Sequence, residues 1–456
     1  MVQLQCLSIL FILVAVLSVA VSYDYKQVLN YSMLFYEAQR SGKLPADQHV
    51  TWRKDSALGD KGNDGEDLTG GYYDAGDLVK FGFPMAYTIT MLSWGVIAYQ
   101  KGYEDAGLAD NIHEAIKWGT DYFLKCHVSE NELYGQVGNG DIDHAWWGRP
   151  EDMTMERPAY KLTESAPGSE LAGETAAALA AASIVFQNVN VDYSDELLEH
   201  AKQLFDFANN NRKSYVDSIT DAAKFYDSFN GYGDELVWAA AWLAKATNDQ
   251  SYLDKANDLY EEFSIASLKT LNLSWGDKTA GIEALMAQIT DSDSHKQKLK
   301  SYVEDVMNNR PRTPKGLVYL NDWGSLRYSA NAVFIAMRTA DLGIDGFDSY
   351  ISFAKSQIGY MLGDTGRSFV VGFGENFPTH AHHRASSCPD IPIPCDYHQY
   401  NATTPNPHML YGALVGGPDE NDQYTDVRTD YEHNEVACDY NAAFSGVLAA
   451  FIQHGY

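Results

Sequence analysis

Two carboxylates three positions apart, Asp74 and Asp77, stand in the string Gly70-Gly71-Tyr72-Tyr73-Asp74-Ala75-Gly76-Asp77, just before an apolar segment. The glycines permit a tight loop that brings both acids to one side, where repulsion and hydrogen bonding separate their proton affinities. One of them could then hold a water molecule and take its proton. A helix N-terminus decorated with Asp, or a calcium loop, is the alternative reading of the same string. A third acid, Glu435, closes the run Asp430-Tyr431-Glu432-His433-Asn434-Glu435, where a loop turns into the last apolar segment. Its aromatic neighbours could dry its surroundings and raise its pKa, as a proton donor working near neutrality requires. Taken alone, Glu435 could equally be a capping residue. One carboxylate from each cluster would suffice for glycosidic hydrolysis, which needs an acid on the leaving oxygen and a partner across the ring carbon.

Three histidines, His380, His382 and His383, fall within four residues and precede Arg384. No Glu follows in His-Glu-x-x-His form, and the nearby Cys388 and Cys395 are expected to be oxidised to each other, so a zinc hydrolase is the weaker reading. Imidazole and guanidinium donors aimed at substrate hydroxyls are the stronger one, with a structural Arg–carboxylate bridge as the alternative. Asp60, Asn63, Asp64 and Asp67 resemble a calcium loop but lack the Glu that ends an EF-hand.

These groups need elements to hold them. Helix-period apolar patterns run over about 25–41, 83–102, 107–127, 168–187, 193–211, 232–247, 250–264, 278–290, 294–309, 326–342, 346–362 and 439–454. Ser169 and Ser194 are expected to cap helices, and Gly102 and Gly343 to end them. Period-two alternation is confined to short stretches such as Ser368 to Gly372. An all-α chain of twelve helices follows, either paired into a closed (α/α)6 barrel or divided into two bundles side by side. Long polar and aromatic connections at 43–82, 129–167, 214–231, 311–325 and 363–438 carry most of the candidate chemistry and should gather on one face.

Among 456 residues, 33 Lys and Arg stand against 62 Asp and Glu, a net charge of −29 that repels nucleic-acid phosphates and anionic bilayers. An apolar share of 45% with 21% charged residues builds a sizeable core and excludes general disorder. The aromatic share is 13%, with 30 Tyr and 9 Trp, more than a core alone needs and suited to paving a sugar site. Residues 1–22 contain no Lys, Arg, Asp or Glu, and the apolar run Leu7 to Val21 before Ser22 reads as a secretion signal; 23–456 is then one catalytic domain. No later segment approaches eighteen uninterrupted apolar residues, and no Ser/Thr/Pro-rich linker or trailing binding module is apparent.

The strings Gly70 to Asp77, Gly372 to Arg384 and Tyr424 to Ala442, with Asp143-His144-Ala145-Trp146-Trp147-Gly148-Arg149-Pro150-Glu151-Asp152-Met153 and Trp323-Gly324-Ser325-Leu326-Arg327, resemble the signatures of glycoside hydrolase family nine. The likeness spans the chain beyond the signal, and the chain as a whole resembles the animal, termite and crayfish type of secreted endo-β-1,4-glucanase. It implies an (α/α)6 barrel, an open cleft, and hydrolysis of cellulose with inversion at the anomeric carbon. By position, Asp77 resembles the general base, Asp74 its helper and Glu435 the general acid. His382 and Arg384 match a pair that grips the sugar beside the scissile bond; His144, Tyr226, Trp323, Arg327 and Tyr440 match cleft positions for neighbouring glucose units. Inversion also requires room for water, with the working carboxyls about 6.5–9.5 Å apart.

The same resemblance implies a structural calcium site of Asn230, Asp234, Glu235 and an acid after Trp275. Gly276 takes the usual acidic place here and Asp277 follows it. Ala381 replaces a usual Pro, and Glu375 a usual neutral residue. Catalysis by two carboxylates needs no cofactor. The partner implied is a β-1,4-glucan chain acted on by a monomer, with no nucleic acid or membrane. Mixed-linkage glucan or glucomannan is the neighbouring specificity. A non-catalytic glucan-binding protein is the alternative from another class, and it would not need Asp77 and Glu435 together.

Overall fold

The computed structural model describes residues 23–456; the stretch read as a secretion signal, 1–22, lies outside the described residues. Twelve long helices occupy the spans that the apolar period marks. They are α1 (Tyr25–Gln39), α2 (Gly82–Ala106), α3 (Ala109–Cys126), α4 (Ser169–Phe186), α5 (Val191–Asn210), α6 (Gly233–Thr247), α7 (Gln250–Glu262), α8 (Thr279–Thr290), α9 (Asp293–Asn308), α10 (Ser325–Asp341), α11 (Phe347–Leu362) and α12 (Cys438–His454).

The even-numbered helices form an inner ring in which each touches the next and α12 closes on α2. The odd-numbered helices pack outside them, which makes the (α/α)6 barrel and removes the reading as two bundles. Burial follows this division. Outer α9 hides one stripe, Leu299, Tyr302, Val303 and Val306, while inner α4 hides every residue but Ile184. By composition α4 is apolar enough to cross a bilayer, and its place in the inner wall accounts for that.

Inner helices approach closely where the side chains are smallest. Gly102 does not end a helix: α2 continues to Ala106 and is stopped by Gly107 at φ 73°. A Cβ on Gly102 would meet the Ala449 carbonyl oxygen of α12 at 2.0 Å, so Gly is required there by packing. Gly343 does lie where expected, just beyond the end of α10 with its N–H on Ala340 O. Ser169 and Ser194 are not caps. The Ser169 hydroxyl bonds Ala208 O, and α5 starts earlier under Asn190, whose side chain accepts from Tyr193 N.

The connections alternate in length. Those leaving an inner helix are short, as at 187–190 and 248–249, whereas those entering one are the long polar segments. The N-termini of all six inner helices therefore share one rim, and the loops that carry the candidate chemistry collect there. The positive ends of six helix dipoles face that rim, where they favour carboxylates. One feature of the loops is not legible from periodicity. An antiparallel sheet joins β1 (Lys80–Phe81), β2 (His127–Ser129), β3 (Glu132–Val137) and β4 (Ala159–Leu162), with β3 pairing all three others. Its strands of two to six residues are too short to show alternation. Ser368 to Gly372 is no strand; Val370 makes one isolated bridge to Leu414. The expected Cys388–Cys395 disulfide is present, and Cys126 and Cys438 are free and buried.

Candidate active site

Main-chain hydrogen bonds sew three distant loops together at the rim. Cys438 N donates to Asp74 O at 2.9 Å, Arg384 N to Gly76 O at 3.0 Å, and His382 N to Asn434 O at 2.8 Å. Asp74, Asp77, His382 and Glu435 are thereby brought together at the rim. The approach is so close that a Cβ on Gly76 would sit 2.0 Å from His382 O, which explains Gly between the two acids.

The carboxylates differ in setting. Asp77 accepts only two main-chain N–H groups, from Ala75 at 3.1 Å and Val79 at 3.3 Å. Burial, then repulsion from Asp143, raises its pKa, while His144 and Arg384 pull it back. Asp74 accepts the Tyr226 hydroxyl; burial, then the charge of Asp77, holds it well above the usual carboxylate range. Asp77 is consequently the more readily ionised of the pair. Glu435 keeps part of its surface open and accepts Trp323 Nε1–H at 3.2 Å. Burial, followed by the repulsion of Asp77, pushes its pKa up to about 8. The arrangement therefore sets a carboxyl raised to about 8 close enough to Asp77 for the Asp77 charge to help raise it.

The three histidines diverge, which removes the zinc reading. His380 bonds Asp426, His382 Nδ1 lies 2.8 Å from Arg428 O, and His383 Nε2 lies 2.7 Å from Gln39 Oε1. Burial lowers the pKa of His382 to about 4, so its ring is neutral. A carbonyl partner requires the proton on Nδ1, so Nε2 is left as an acceptor. His144 has the same arrangement, with Nδ1 2.7 Å from Gly140 O. The His382 imidazole therefore presents an acceptor at Nε2, not the donor expected of it.

Arg384 is buried and bound to Asp143, the bridge foreseen as the alternative. Arg327 likewise pairs with Asp439 at 2.8 Å, stacks on Tyr440 and bonds Trp323 O. Arg327 and Tyr440 are largely covered and brace Trp323 from behind, whereas Tyr226 spends its hydroxyl on Asp74. Trp323, 42% exposed, is the open platform, and Tyr431 packs beside it at 5.6 Å between ring centres. Sequence reasoning missed Tyr431, Tyr397 and Tyr400 as a paved wall. Tyr400 lies 4.8 Å from Trp147 and 6.0 Å from His382, and Tyr397 donates to His144 O. The aromatic excess was their only advance signal.

The calcium set has a mixed but favourable chemistry. Asp234 accepts Lys278 N at 2.7 Å, and Asn230 Nδ2 lies 3.2 Å from the same carboxylate. Glu235 Oε1 binds the buried Lys278 ammonium at 3.0 Å, yet Glu235 Oε2 is buried with no partner. Burial, then Asp234, pushes Asp277 up to about 6. The orphaned Glu235 oxygen suits a hard cation, but the ligand oxygens of Asp234, Glu235 and Asp277 do not all lie within 4.8 Å of one another, so the set would have to draw together around one. The upstream acids do not form a calcium loop, because Asp60 is spent on Lys80 and Arg157 and Asp67 on Lys125.

A family model described as Glycosyl hydrolase family 9 matches residues 25–448. Endoglucanase A of Bacillus pumilus is 48% identical over 449 residues, covering 95% of this chain and 67% of that protein. The solved endoglucanase of the termite Nasutitermes takasagoensis shares 61% identity with a TM-score of 0.94, covering 96% of this chain and 100% of that one. A cellulase of C. cellulolyticum solved in complex with cellobiose shares 34% identity with a TM-score of 0.87, covering 95% and 100%.

Proposed function

Starting from the fact that the chain belongs to glycosyl hydrolase family 9 and is an endo-β-1,4-glucanase, we propose that it works by inversion with Asp77 as base and Glu435 as acid. Asp77 takes a proton from water as the water oxygen bonds to the anomeric carbon. The glycosidic bond breaks on the opposite side, and its oxygen leaves with the proton of Glu435. Asp74, held by Tyr226, is the second acceptor that orients the water. Trp323 stacks on an apolar sugar face, Nε2 of His382 accepts a hydrogen bond from a sugar hydroxyl, and His144 offers a second polar contact. The observation that carries this reading is the main-chain stitching that brings the Asp74–Asp77 loop against the Glu435 segment, so that burial and the Asp77 charge push Glu435 up to about 8. NMR of fresh cellooligosaccharide hydrolysate should show the α-anomer first; β-product at the start rules inversion out.

We also propose a structural calcium ion held by Asp234, Glu235 and Asp277, with the Asn230 side-chain oxygen as a fourth ligand. Its charge would relieve the repulsion at the start of α6, and no chemical step involves it. A chelator should lower the melting temperature and added calcium restore it, a reversal that an unliganded acidic corner would not show.

A further inference from the structure

Asp143 is buried next to Asp77, and neither the chemistry above nor the resemblance gives it a task. It sits on the short helical turn Gly140–His144, which Asn139 caps through Ile142 N. Both of its oxygens are engaged across chain segments. Oδ1 accepts the main-chain N–H of Leu78, the residue directly after Asp77, at 3.2 Å. Oδ2 takes a guanidinium N–H from Arg384 and lies 3.7 Å from His144 Nδ1. Polar atoms of Asp77, Asp143 and His144 all lie within 4.8 Å of one another. One guanidinium therefore stands close to two carboxylates and is bound by the one that does no chemistry.

We propose that Asp143 is a positioning residue: by engaging Arg384 and the Leu78 amide, it keeps the guanidinium from closing on Asp77 and leaves that carboxylate turned to water. An Arg free of Asp143 would be drawn to Asp77, whose charge it already stabilises, and a charge-assisted pair would occupy the lone pairs that must accept the proton. The charged groups around Asp77 come from four segments: Asp74 on its own loop, Asp143 and His144 on the Gly140–His144 turn, Arg384 after the histidines, and Glu435 before α12. Asp143 also feels Arg157. Of the anions facing Asp77, Asp143 exerts the largest push on its proton affinity, and Arg384 opposes it. Removing either partner should therefore move the base in opposite directions.

This inference rests on Asp77 being the base, and the test separates the two. For Asp143→Asn, the acid limb of kcat/KM against pH on cellopentaose should shift to lower pH by about half a unit or more, and kcat should fall about tenfold with KM nearly unchanged. Arg384→Gln should shift the same limb upward, since it removes the opposing cation. A limb that stays in place in Asp143→Asn, with activity falling only in step with the melting temperature, overturns the proposal. If Asp143→Asn does not fold, Arg384→Gln decides alone: an upward shift supports it and an unmoved limb overturns it. Asp77→Asn is run alongside. Near-normal turnover in that variant removes the base assignment itself, whereas an inactive Asp77→Asn with an unmoved Asp143→Asn limb removes only the role given to Asp143.

Discussion

Glu435→Gln and Asp77→Asn should each cut kcat by about 10²–10⁴-fold, with oligosaccharide binding nearly intact. The amide oxygen introduced by Glu435→Gln would still accept the Trp323 N–H now given to Glu435, so the pocket keeps its shape and loses only the transferable proton. The stability effect has the opposite sign. The folded pKa of Glu435 is raised from 4.5 to about 8, chiefly by burial. A raised carboxyl contributes fully below its unfolded value, and that contribution is lost as pH rises through the folded one. The wild type should thus lose stability between about pH 4.5 and 8, and Glu435→Gln should lose less over the same window. Thermal melts across that range check the sign, and steady-state kinetics check the rate. A Glu435→Gln enzyme with near-normal turnover would end the assignment of the acid.

Lys278→Met should destabilise the fold by about 3–5 kcal/mol at neutral pH, the cost of leaving buried charge unpaired. The Lys278 ammonium lies between Glu235 Oε1 at 3.0 Å and Glu174 Oε2 at 3.3 Å, with all three side chains fully buried in the ring. It also bonds Trp275 O and lies over the rings of Phe83 and Tyr87. Burial already raises both carboxyls, and Lys278 is what pulls them down. Without it their folded pKa values climb further, so the penalty grows as pH rises and shrinks toward pH 4.5. Denaturant melts at pH 5 and pH 8 should show the larger loss at pH 8. Replacing Glu174 and Glu235 by Gln in the Lys278→Met background should recover much of it. Equal losses at both pH values would show that packing, not charge, is what Lys278 supplies.

The outer helices were the easiest part to read, because an element that buries one face writes a 3.6-residue period into its own span. Inner helices were legible for a related reason: α4 is apolar nearly all round, and only a surrounded helix tolerates that. Gly102 shows the limit of local reading. Gly near a helix end looks like a stop, but its reason lies 347 positions away at Ala449, across a helix contact. The small sheet was missed for want of length, and Tyr397, Tyr400 and Tyr431 were missed because isolated tyrosines in loops carry no pattern.

By itself, the sequence determined twelve helices, the alternation of short and long connections, and the residue types able to transfer protons to and from a sugar bond. Those follow from periodicity, turn chemistry and side-chain pKa, which belong to the residues or to their near neighbours. Only the tertiary structure decided which groups remain free to act. It assigned Arg384 to Asp143 and Arg327 to Asp439, tied Nδ1 of His382 to Arg428 O, and pushed Glu435 up to about 8. Hydrogen-bond partners and desolvation come from contacts between segments hundreds of residues apart, and no local pattern encodes them.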